Sequence, residues 1–341
     1  MIEIRKVPCR ATHRHALAAV ITGLVTGFAA GLGCSPAVAE KKPPAVVVTI
    51  KPVHSLVSMV MEGIGKPVLL IDGVSSPHSY ALKPSDARAL NGADVVIRIA
   101  DVVEPFTRRI AETLPGKTTL VTLADVKGMQ LWETRTGTTF EPHDHDAVRE
   151  ANEGEQHAHG HDHDHDAGVV DGHIWLDPTN AKTIVRSVAD VLAKKRPDLK
   201  NALSANVTAA LARLDALDAE LKEQLSPVKG EPFVVFHDAY QYFERHYNLH
   251  AAGAITLNPE VAPSARRLTE IRATIKKSGA HCVFAEPQFS PRIINAVVEG
   301  SEAKAGVLDP LGSTIEAGSD QYGALMRSLG TSIRDCLGSL G

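Results

Sequence analysis

After residue 39 the chain has no apolar run approaching the ~20 residues that a membrane-spanning helix needs, so the polypeptide beyond that point is expected to be soluble. Nor is there an excess of positive charge: 36 Lys and Arg stand against 40 Asp and Glu, a formal charge of −4. That balance argues against nucleic acid or an anionic membrane surface as a partner. HExxH is absent, no Gly-x-Ser-x-Gly elbow precedes a helix, and no glycine-rich phosphate loop is visible. The common signatures of hydrolase and nucleotide chemistry are therefore missing. Cysteine is scarce: of four, Cys9 and Cys34 lie near the start, leaving only Cys282 and Cys336.

The first 39 residues read as a secretory leader. Arg5, Lys6, Arg10 and Arg14 make a basic head, an apolar stretch runs from Ala16 to Gly33, and Ala37-Val38-Ala39 offers the small-x-small pattern of a cleavage site. Cys34 raises lipid anchoring as an alternative, although Gly31-Leu32-Gly33 matches the usual lipoprotein pattern poorly. Export to a periplasm is the expected outcome. Losing four basic and one acidic side chain takes the charge from −4 to −7. The remaining pair, Cys282 and Cys336, is most simply a disulfide in an oxidising compartment; a pair of zinc ligands is the alternative.

What the chain does have is concentrated in residues 141–171. Seven histidines (His143, His145, His157, His159, His161, His163 and His165) are interleaved there with carboxylates and almost no apolar residues. Such a stretch cannot bury enough surface to fold alone and is expected to be a disordered loop. Imidazoles alternating with carboxylates are ligands for zinc, nickel and copper.

Elsewhere, β-branched runs alternate with helical patterns. Residues 45–50, 67–71, 93–100 and 118–123 read as strands, and after the His-rich stretch so do 233–238, 251–257, 280–287 and 305–310. Helices fill the gaps, the last over 321–337. Leu203, Val207, Leu214, Leu217, Leu221 and Leu225 recur at helical spacing, predicting one helix of about 40 Å from residue 198 to 225. The fold class is α/β: two lobes, each a parallel sheet flanked by helices, joined by that long helix. The expected organisation is a leader at 1–39, an N-terminal lobe at 40–196, the linking helix at 197–229 and a C-terminal lobe at 230–341.

Four residues stand at or beyond the carboxyl ends of strands, where such folds bind ligands: His78 in SPHSYALKPSD, His173 in DGHIWLDP, His237 in FVVFHD and Asp309 in AGVLDPLG. Three neutral imidazoles and a carboxylate are a common tetrahedral zinc set, and drawn from both lobes they would bury an ion in the cleft. His54, His246, His250 and His281 have no such context and read as structural or surface residues. Glu286 in FAEPQF could accept a hydrogen bond from a ligand histidine.

IKPVHSLV, SPHSYALKPSD, HIWLDP, VFHDAYQYFE, LNPE, CVFAEPQF and LDPLG occur in that order across most of the mature chain. In this the sequence resembles the periplasmic zinc-binding proteins of ABC importers, the ZnuA-like branch of a cluster that also holds manganese-binding relatives. The resemblance implies a solute-binding protein, not an enzyme, that is monomeric and delivers Zn(II) to a membrane permease. It implies His78, His173 and His237 as ligands, with Asp309 or water in fourth place, and a disulfide between Cys282 and Cys336. The chain departs from some family members at Pro77, where they carry glutamate, and around Ala254, where they carry a histidine. Three nitrogen ligands favour zinc over manganese, and affinity should fall as pH drops through roughly 6.5. A metal buffer acting through the His-rich stretch is the competing reading.

Overall fold

In the computed structural model the described residues are 42–137, 139–140, 149–150 (backbone only) and 169–338. The expected leader with Cys34, and the seven histidines of the 141–171 stretch, lie outside them.

The run VVVTI forms β1 (Val46–Ile50), every residue of it buried, as a strand covered on both faces requires. It passes directly into α1 (Lys51–Val60), started by Pro52 in the first turn. There follow β2 (Val68–Ile71), α2 (Pro84–Gly92), β3 (Val95–Arg98), α3 (Thr107–Thr113) and β4 (Thr119–Thr122). All pairings are parallel, in the order β2-β1-β3-β4. A two-residue antiparallel pair, β5 (Gln130–Leu131) with β6 (Arg149–Glu150), was not expected from the sequence.

Asp177 caps α4 (Pro178–Lys195), its carboxylate accepting from the Thr179 N–H. The leucine stripe then builds α5 (Lys200–Leu225), a 26-residue helix of about 39 Å. Leu203, Leu214, Leu217, Leu221 and Leu225 face inward, and the helix packs against α1, α4 and the C-terminal helix α9 (Gln321–Leu337). It therefore serves both halves of the molecule.

The second sheet contains β7 (Pro232–His237), β8 (His250–Thr256), β9 (Cys282–Ala285) and β10 (Lys304–Val307), with α6 (Gln241–Tyr247), α7 (Ala265–Ser278) and α8 (Pro291–Val298) between them. Its order, β10-β9-β7-β8, is parallel throughout and repeats the first sheet's plan. In each, the first strand is internal, the second lies on one side and the third on the other. Side chains alternate along β7: Phe233 and Val235 enter the main core, whereas Val234 and Phe236 enter a smaller cluster beneath α7 and α8. That parity sets His237 on the Phe233 face. A disulfide joins Cys282 in β9 to Cys336 in α9.

The halves are tied by buried polar contacts. Lys51 Nζ donates to the Ser313 and Ile315 carbonyls (2.9 and 3.0 Å). Trp175 Nε1 donates to the Pro310 carbonyl, and the Tyr322 hydroxyl to that of Trp175. No helix among the described residues is long and apolar enough to cross a membrane.

Candidate metal centre

His237 is the last residue of β7, and Glu286 immediately follows Ala285 at the end of the neighbouring β9. This is where the strand order reverses, the place at which open parallel sheets bind ligands. Glu286 Oε1 lies 2.6 Å from His237 Nδ1, with the His237 N–H 3.3 Å away. Both residues are buried.

His173 enters from the other half. It follows Gly172, where an added Cβ would stand 2.4 Å from Val103 Cγ2, so only glycine lets the chain pass. Ile174, Trp175 and Leu176, just after it, are fully buried and anchor the turn. Asp171 Oδ1 accepts from the His173 N–H (3.0 Å) and lies 2.7 Å from Nδ1. His78, half-buried, comes from the loop between β2 and α2, its N–H donating to Ser76 Oγ (3.2 Å).

These three imidazoles converge. One ring nitrogen of each lies within 4.8 Å of the others, and the ring centroids are 5.2 to 5.7 Å apart. An ionised carboxylate only accepts, so Asp171 and Glu286 hold their partners with the proton on Nδ1. With both rings neutral each Nε2 carries a lone pair, and the two face each other at 3.4 Å. Lone pairs so placed repel unless a proton or a metal cation sits between them. Two nitrogens bound at ~2.0–2.1 Å to a tetrahedral zinc stand about 3.3–3.4 Å apart, which matches the observed separation.

The electrostatics differ between the three histidines. Burial, followed by the neighbouring His173 and His237, drives the pKa of His78 down to about 2, against a backbone hydrogen bond to Val102. Burial also disfavours charge on His237, but the Glu286 carboxylate outweighs it and the pKa is raised.

Asp309 stands outside the converging group. Its carboxylate accepts from Gln288 Nε2 (2.8 Å), the Leu311 N–H (3.1 Å), and the Ser313 N–H and hydroxyl (2.6 and 2.7 Å). These contacts shape the loop after β10. His54 gives Nε2 to the Pro67 carbonyl (3.1 Å), and His246 lies between Asp177 (3.0 Å) and Asp218 (2.7 Å); both are structural, as expected. Ala254 is fully buried within β8.

Two supports of the site leave almost no trace in the sequence. Asp171 is one; the D-x-H spacing in DGHIW is its only signal. Arg135 is the other, a largely buried guanidinium that donates to both Asp238, next to His237, and Glu244 in α6. The adjoining residues join the same frame: the Tyr242 hydroxyl accepts from the Trp132 N–H and donates to the Asp171 carbonyl. Gln241 Nε2 reaches both the Glu133 carbonyl and Asp171 Oδ2.

Two parallel-sheet lobes sharing one long helix, with three histidines converging from both, define a metal-binding solute-binding protein. The family model described as "Zinc-uptake complex component A periplasmic" matches residues 46–336, and the chain belongs to that family. It is 44% identical over 326 residues to the high-affinity zinc uptake system protein ZnuA of Brucella abortus (strain 2308), covering 92% of this chain and 97% of that protein. The protein of the same name from Paracoccus denitrificans (strain Pd 1222) is 38% identical over 317 residues, covering 92% of this chain and 97% of that protein. Among solved structures, a crystal structure of ZnuA superposes with a TM-score of 0.69 at 26% identity, covering 86% of this chain and 99% of that one. A zinc-bound ZnuA with residues 138–173 deleted gives 0.66 at 25% identity, covering 86% of this chain and 98% of that one.

Proposed function

We propose that this protein binds one Zn(II) in the periplasm and delivers it to the membrane permease of an ABC importer, acting as a binding protein and not as an enzyme. The observation that carries this reading is the pair of Nε2 atoms 3.4 Å apart, each on a ring whose other nitrogen is committed to a carboxylate. His78, His173 and His237 are the proposed ligands. Asp309, already surrounded by donors, holds the loop beside them and leaves the fourth position to water. Neutral imidazole donors and a tetrahedral nitrogen spacing favour zinc over manganese, which is better served by oxygen. The charge of −7 after removal of residues 1–39 suits attraction of a cation. Residues 1–39 are proposed to direct export, and the histidines of residues 141–171 to gather zinc and raise its local concentration.

Native mass spectrometry tests this on mature protein lacking residues 142–166, stripped of metal and offered zinc and manganese together. One zinc retained, and lost on His173→Ala or His237→Ala, is the expected result. Zinc binding that vanishes with residues 142–166 would instead assign the protein to metal buffering.

A further inference from the structure

The three proposed ligands are not secured alike. His173 and His237 each pair Nδ1 with a buried carboxylate, whereas the His78 ring has no carboxylate partner among the described residues of this site. What ties its loop to the opposite half is Ser76. The Ser76 hydroxyl donates to Glu260 Oε1 (2.9 Å) while accepting from the His78 N–H (3.2 Å). Glu260 lies in the turn that leaves β8, and Thr256, at the end of β8, pairs in register with His237. That turn is fixed: Asn258 Oδ1 accepts from the Glu260 N–H, and the Thr256 hydroxyl donates to the Asn258 carbonyl.

Beside this contact lies an open cavity of about 370 Å³ whose walls include Ser76, Ser79, Glu260, Gln288 and Phe289. It shares Ser76, Gln288 and Phe289 with the much smaller space, about 10 Å³, that touches the three histidines. The outer volume has room for several waters and the inner one for about one. A divalent cation moving inward would exchange a hydration shell for ring nitrogens along this path.

We infer that the outer cavity is the vestibule through which zinc enters and leaves, and that the Ser76–Glu260 contact is the latch that keeps His78 on the ion. This rests on the zinc-site reading above. Glu260 has two roles. Its charge draws the cation to the mouth, and its hydrogen bond holds the loop of the one ligand that lacks an orienting carboxylate.

The test is stopped-flow transfer of one equivalent of zinc from the mature protein to an excess of a chromophoric chelator. Ser76→Ala and Glu260→Ala are each expected to speed release by roughly threefold to tenfold, the range one solvent-exposed hydrogen bond supports. The double variant should release no faster than the quicker single variant, because both changes break one bond. Glu260→Gln, which keeps an acceptor but loses the charge, should slow zinc uptake at low salt and retain near wild-type release. Melting temperatures of the metal-free proteins should agree, separating the effect from folding. Wild-type release rates in both alanine variants, or additive effects in the double variant, would overturn the latch while leaving the zinc site intact. A wild-type protein that takes up no zinc, or a His173→Ala variant that holds it equally well, would overturn the underlying reading instead.

Discussion

The two sheets share one strand plan, yet they present the proposed ligands differently. In the C-terminal half the imidazole sits on the strand itself, at the end of β7, with Glu286 just past the end of the adjacent strand and Arg135 fixing the next residue, Asp238. In the N-terminal half His78 hangs on a loop well past the end of β2, steadied by a serine. His173 resembles the first arrangement although it comes from the N-terminal half, because buried Trp175 and Asp171 pin it. The difference shows how one topology can give the proposed metal site a floor built on strand ends and a wall built on a loop. Strand-end ligands inherit the rigidity of the sheet, whereas loop ligands move with whatever holds the loop.

Breaking that floor should have the largest effect. Arg135→Met leaves Asp238 and Glu244 facing each other in the interior without their cation, and a loss of about 3–5 kcal/mol in stability is expected by chemical denaturation. Unchanged stability would show that the pair is dispensable. Next, His237→Ala should weaken zinc binding by more than roughly a hundredfold in chelator competition, since a ligand contributes more than a residue that only orients one. His78→Ala should cost less than His237→Ala, because the two opposed Nε2 atoms remain; the reverse order would contradict the asymmetry. Glu286→Gln and Asp171→Asn should each weaken zinc by about tenfold to a hundredfold with little change in melting temperature.

The smallest effect concerns His246, which ties α6 to Asp177 and Asp218. Burial lowers its pKa, but the two carboxylates prevail and raise it. A folded-state pKa above the unfolded value of ~6.5 means the stabilisation is complete below that pH and is lost as pH rises through the folded value. The melting-temperature gap between wild type and His246→Gln in metal-free protein should therefore be wider at pH 6 than at pH 9.

Much of this fold is legible in the sequence because its signals are local. The β-branched run at 45–50 and the leucine stripe of α5 announce their elements, and the 321–337 helix falls where its pattern predicts. The histidine trio is legible only through its motif contexts, since a single histidine carries no periodicity. Asp171 is hidden because one intervening residue conceals that its carboxylate folds back onto His173. Arg135 depends on partners more than a hundred residues away, and β5 on a partner strand inside the His-rich stretch itself, and no local pattern encodes those. For Asp309, the acidic residue is visible after the strand, but the four donors around it, drawn from Gln288, Leu311 and Ser313, emerge only in the folded loop.

A small zipper closes the backbone on itself just ahead of His173. The Thr134 N–H donates to the Val169 carbonyl (2.7 Å), the Asp171 N–H to that of Trp132 (2.8 Å), and Glu133 bridges Val170. On the other side, the Phe140 N–H is fastened to the Ala252 carbonyl (3.0 Å). The chain thus comes to His173 through pairs that belong to the described fold, and a variant lacking residues 142–166 keeps every partner of those pairs.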